Sequence, residues 1–162
     1  MMWDPEPFYP RIARSDFTSI YYQLCLAHDP DRSRFKHAPI DAIKLLLTSI
    51  DRHPVFDPIV KTFVFNFKHR DALIHSGFVV KPSGWFDAWF ICGNDGKTWG
   101  GHFAQIAFDV MRQAGQPRPV PPCPLPRIKD HAALEAVLGG WDRLERELRV
   151  ALELPVSLPV FH

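Results

Sequence analysis

The segment from Trp85 to Cys92 constrains this chain more than any other. Read as a strand, it is apolar on both sides: Trp85, Trp89 and Ile91 point one way, and Phe86, Ala88, Phe90 and Cys92 the other. Asp87 is the one charge in it. Side chains alternate along a strand, and a strand apolar on both faces belongs where both are covered. It is therefore expected near the centre of a sheet.

The flanking sequence supplies the neighbours. In Lys61 to Lys68, Phe63, Phe65 and Phe67 alternate with Thr62, Val64, Asn66 and Lys68, the pattern of a strand with one core face and one wet face. Phe78-Val79-Val80 and Trp85 to Cys92 read as a hairpin across Pro82-Ser83-Gly84. His69 to Ser76 has no clear period and admits a single helical turn. Residues 54–60 read as a short turn, and Gly93-Asn94-Asp95-Gly96 is a strong turn signal.

Helical spacing brackets these strands. Phe17, Ile20, Tyr21, Leu24 and Ala27 predict a helix from Asp16 to about His28, capped by Ser15 or Asp16 and ended by Asp29-Pro30. Ile40, Ile43, Leu47 and Ile50 predict a second one starting at Pro39. Phe103, Ile106, Ala107, Val110 and Met111 predict a third from Gly101 to Ala114. The last runs from Asp130 to Leu152 on a stripe that includes Leu134, Leu138, Trp141, Leu144 and Leu148. Asp142–Arg146 and Glu145–Arg149 fall on its wet side as i,i+4 pairs. Gly139-Gly140 within it implies a bend or a closely packed neighbour.

The expected fold is therefore a single α+β domain over 1–162. It has two N-terminal helices, a small mainly antiparallel sheet of three to four strands, and two C-terminal helices joined by a Pro-rich connector. Residues 1–14 read as an extended N-terminal arm pinned by Trp3, Phe8 and Tyr9. Residues 115–127 hold six prolines and read as the rigid connector, with the C-terminal helix at 130–152 as a semi-independent arm.

Composition excludes several classes. A formal net charge of +1 lacks the basic excess of a nucleic-acid binder, and the local cluster Arg32, Arg34, Lys36 and His37 reads as a solvated loop. Nucleic acid is thus an unlikely partner. No apolar run approaches the ~20 residues of a membrane span, and the N-terminus has no signal-peptide pattern. Cys25, Cys92 and Cys123 are far apart and form no CxxC pair. Cys25 and Cys92 read as buried thiols and Cys123 as exposed, a usage that fits a cytoplasmic location.

Motifs for chemistry are weak. Gly96-Lys97-Thr98 ends like a nucleotide-binding phosphate loop, but Ile91 stands where that motif requires its first glycine. His69-Arg70-Asp71 lacks every other part of a kinase catalytic loop. His69, Asp71 and His75 have no metal-ligand spacing, so no metal and no cofactor are expected. The leading reading is a non-enzymatic protein-binding module. It would be a small cytoplasmic inhibitor, immunity-type or adaptor protein that neutralises or scaffolds a partner such as a toxin or effector, with Trp85, Trp89 and Trp99 in the contact surface. The alternative is a small enzyme or ligand binder. It would use an anion site in the Gly93–His102 loop, formed by Lys97, Gly100, Gly101 and His102 at a helix start, with Asp87 and His102 as acid and base.

Overall fold

Phenylalanines on alternate positions build the centre of the molecule. Phe63, Phe65 and Phe67 project from one strand, and all three are buried. Phe63 stacks on Phe78 of the next strand with centroids 5.0–5.1 Å apart across the Phe63–Phe78–Phe86 series, and Trp141 of the last helix closes on Phe65 and Phe78 at 5.2 and 5.0 Å. The computed structural model describes residues 2–117, 119–121 and 124–156; Cys123 and the tail beyond 156 lie outside the described residues.

Among the described residues the strands are β1 (Val55–Asp57), β2 (Thr62–His69), β3 (Ala72–Val80), β4 (Phe86–Asn94) and β5 (Lys97–His102). They form one antiparallel meander in the order β1-β2-β3-β4-β5. The helices are α1 (Phe8–Ala13), α2 (Phe17–Ala27), α3 (Ile40–Ser49), α4 (Phe103–Gln113) and α5 (His131–Ala151). The α+β class is as expected, with a larger sheet and one more helix. No helix among the described residues is long and apolar enough to cross a membrane.

Each difference from expectation has a local cause. Residues 8–13 form a helix where an extended arm was expected; Pro7 and Pro10 lie before and within its first turn, where a missing N–H costs nothing. The arm ahead of it is pinned by Trp3, whose backbone N–H donates to Asp71 Oδ1 at 3.1 Å and whose indole N–H donates to the Leu152 carbonyl at 2.8 Å. Residues 72–80 are one strand, where the sequence admits a helical turn over His69 to Ser76 and only Phe78-Val79-Val80 reads as strand. The reversal at Arg70-Asp71 uses a non-glycine residue at positive φ (Arg70, 57°), so the usual Asn-Gly or Asp-Gly signal is missing.

Residues 97–102 are also strand, and α4 begins at Phe103 instead of Gly101. The turn before it is an Asp95-Gly96 reversal with positive φ at both positions. Gly100, at φ 97°, lies so close to β4 that an added Cβ would fall 2.0 Å from the Phe90 carbonyl oxygen. That glycine serves strand pairing, not the opening of a helix.

The helices gather on one side of the sheet. Phe63, Phe65, Phe67, Ile74, Phe78, Phe86, Ala88, Phe90 and Cys92 face them and are buried. β4 is thus covered on one side only: Trp89 and Ile91 on its other side are half-buried. Membership of both strand pairs β3–β4 and β4–β5 satisfies its backbone without a second layer.

The C-terminal helix is part of this core. Leu134, Val137, Leu138, Trp141, Leu144 and Leu148 are buried, and Asp130 caps the helix by accepting from the Ala133 N–H at 3.0 Å. Gly140 admits Leu24 of α2, whose Cδ1 would be 2.8 Å from an added Cβ, so the paired glycines mark a close helix crossing. The end of the proline connector joins the sheet region, with Phe86 N–H donating to the Pro126 carbonyl at 2.9 Å and Ile128 N–H to the Gly84 carbonyl at 2.8 Å.

The expected wet-side pair Glu145–Arg149 is buried. Glu145 is 0% exposed and Arg149 2%. Arg52, from the loop after α3, reaches the other oxygen of the Glu145 carboxylate. Aromatic faces cover both guanidiniums: Arg52 lies 4.8 Å from the Trp141 ring and Arg149 4.1 Å from the Phe67 ring. Asp142–Arg146 stays on the surface side, as expected from its spacing.

Candidate functional site

Strand pairing decides which polar groups meet on the helix-free face of the sheet. Residues directly opposite each other share a face, and the register sets Asn66 against His75, Gly77 against Trp89, and Trp89 against His102. The side chains form a strip across β2 to β5. Leu73, His75, Thr98 and His102 on that face are exposed, with Leu73 at 54%.

Each ring in the strip is held by a neighbour. His75 Nδ1 lies 2.6 Å from Asn66 Oδ1. Partial burial without a charged partner pushes the His75 imidazolium down from its ordinary value. Trp89 lies over Gly77, where an added Cβ would be 2.7 Å from its ring carbon Cζ2. His75 and Trp89 have centroids 6.1 Å apart and planes only 21° apart. His102 approaches Trp89 edge-on at 6.3 Å.

Asp87 completes the strip. It is 7% exposed, and both of its oxygens are engaged. His102 Nδ1 donates to Oδ1 at 2.8 Å, and Lys81 Nζ, just after β3, donates to Oδ2 at 3.0 Å. A carboxylate bound at Nδ1 sets the ring's orientation and tautomer. His102 Nε2 is then the nitrogen left to an outside group, as acceptor in the neutral ring and donor in the charged one.

The residues singled out in the sequence are partly brought together. Asp87 and His102 meet. Lys97 sits at the opposite end of β5, about 17 Å from His102 at strand spacing. There it lines a groove of about 530 Å³ with Asp4, Glu6 and Trp99. Gly100 and Gly101 are strand residues between them. Of the three tryptophans, Trp89 is at the centre of the open face. Trp99 is packed against the core, its indole N–H donating to Glu6 Oε1 at 3.1 Å. Trp85 lies under the Arg127 guanidinium, 4.8 Å from its ring. Arg32, Arg34, Lys36 and His37 are exposed on a loop stapled to the 127–130 segment by the Arg34 N–H to Lys129 carbonyl bond of 2.8 Å.

The sequence does not place Lys81, His75 or Gly77 on this face, and it puts Asn66 on the wet face of its strand without its partner His75. With 72–77 unrecognised as strand, that pairing could not be counted. Their signal is the alternation Leu73, His75, Gly77, Val79 against Ile74, Ser76, Phe78, Val80, which two weakly apolar glycine and serine positions blur. Among the described residues no three His, Cys, Asp or Glu side chains are grouped to hold a metal ion. No protein-family model, no curated protein and no solved structure matches the chain.

Proposed function

We propose that the chain is a protein-binding module, an inhibitor or adaptor, whose contact surface is the helix-free face of the sheet around Trp89. The observation that carries this reading is the pinned strip Asn66–His75–Trp89–His102–Asp87. Rings already held in place lose little freedom when a partner lands on them, and that freedom is a main cost of association. Tryptophan is also the residue that most often anchors a protein interface. Half-buried Val64, Val79 and Ile91 and exposed Leu73 extend the apolar surface around it.

The test is retention of a partner from a lysate of the native host. Tagged wild-type chain is expected to hold a stoichiometric protein that Trp89→Glu/Leu73→Glu, checked for folding by circular dichroism, releases. Equal retention by both, or no stoichiometric protein with either, refutes the reading.

The 2.8 Å Asp87–His102 contact favours a second reading, a small-ligand or acid–base site at His102 Nε2. It predicts that Asp87→Asn or His102→Gln abolishes small-molecule binding while Lys97→Ala, at the other end of β5, leaves it unchanged. Loss with Lys97→Ala instead would place the ligand in the groove beside the N-terminal arm.

A further inference from the structure

The charges on the open face bear on what kind of partner fits it, given the docking reading above. Two acids belong to that face among the described residues, and the chain engages both. Asp57, at the β1 corner, accepts the Ile59 N–H at 2.8 Å within its own turn. Asp87 accepts from His102 and Lys81 and is nearly sealed from solvent. The basic side chains point outward: the Lys81 side chain is 48% exposed and that of His102 is 60% exposed. Lys68 on the same face is exposed as well, whereas partial burial holds the neighbouring His75 ring toward its neutral form.

We propose that the occupant is a protein segment bearing a carboxylate beside an apolar side chain. The carboxylate meets Lys81 Nζ and, in the charged form of the ring, the Nε2–H of His102, and the apolar group lies on Trp89 and Ile91. One buried carboxylate anchors both donors. The lysine ammonium carries three N–H groups and gives one to Asp87; the histidine gives Nδ1–H and keeps Nε2. Asp87 is therefore a positioning residue. It holds both groups at one spot and withdraws its own negative charge from the surface, so a second carboxylate arriving from outside meets the Lys81 ammonium first. An apolar platform beside fixed donors is the arrangement that gives orientation as well as affinity at an interface.

The full-length, ¹⁵N-labelled chain is titrated with three capped peptides of one pattern, acetyl-Glu-Phe-Asp-Leu-Glu-amide, its Gln/Asn counterpart and its Lys counterpart, and with an octamer of thymidylate. Shifts are followed at the Trp89 indole N–H and the His102 ring. The acidic peptide is expected to bind at this face roughly five- to tenfold more tightly than the neutral one. Lys81→Gln and His102→Gln, confirmed as folded, are each expected to reduce that preference, with the acidic peptide losing more affinity than the neutral one. Equal binding of acidic and neutral peptides at Trp89 overturns the carboxylate inference and spares the docking reading. Tighter binding of the Lys peptide or of the oligonucleotide overturns it in favour of the opposite charge or of nucleic acid. Absence of shifts at Trp89 with every probe overturns both the inference and the docking reading.

Discussion

Replacing Glu145 by glutamine changes one oxygen to an amide and removes one charge, yet the structure predicts a large effect. Glu145 is 0% exposed, and its two oxygens meet two guanidiniums that are themselves 8% and 2% exposed. Without its charge, Arg52 and Arg149 are left as buried cations facing one another. Asp142 lies 3.6 Å from Arg52 and is shared with Arg146, so it offsets little. Burial pushes both guanidiniums down to about 10 in the native chain, and arginine does not give up its proton near neutral pH, so deprotonation gives no escape. Breaking a buried pair in this way costs about 3–5 kcal/mol. With a urea slope of about 2 kcal/mol/M, the midpoint of unfolding falls by roughly 1.5–2.5 M. Urea titration followed by far-ultraviolet circular dichroism reads this directly. A companion variant, Arg52→Leu/Glu145→Leu/Arg149→Met, removes all three charges and is expected to recover most of the loss, since the penalty lies in the unpaired charge and not in the absent bridge. A midpoint change below about 0.5 M for Glu145→Gln, or a triple variant less stable than the single one, would refute this account.

Two further predictions concern stability. Gly139→Ala should raise the unfolding free energy by up to ~1 kcal/mol, because an added Cβ there meets nothing within 4 Å and alanine favours the helix. Gly140→Ala should gain less or lose, because its Cβ would press on Leu24; equal thermal midpoints for the two variants would refute the close crossing. The third prediction is a pH dependence. The folded-state value of His75 lies below the ordinary value of about 6.5 because of burial, so the unfolded chain takes up its proton first as pH falls. The stability from keeping the ring neutral is complete above about 6.5 and is lost as pH falls through the lower folded value. Thermal melts between pH 7.5 and 5 should therefore fall less steeply for His75→Asn, with His28 and His69, shifted the same way, supplying the remaining slope. An unchanged slope would refute the assignment.

Much of the architecture was legible because local periodicity carries it. The alternate phenylalanines of β2, the stripe of α5 and the hairpin across Pro82-Ser83-Gly84 each repeat at a period that only one regular structure satisfies. Asp87 stood out for the same reason, as a charge in an apolar strand that had to find partners. Other features depend on which strands are neighbours, and no local pattern encodes that. Glu145 and Arg149 look like a surface pair on their helix. They become a core ion cluster only because Arg52, far off in the chain, arrives beneath Phe65 and Trp141. Gly100 looks like a helix start until the Phe90 carbonyl lies against it. The both-faces-apolar strand proved half open, since its outer residues use Gly77 and His75 of β3 as partners instead of a second layer. The sequence by itself determined most of the elements, though not α1, β1, β5 or the first half of β3, and one buried face. Register, a relation between distant segments, decided that His75, Trp89, His102 and Asp87 lie side by side on the other.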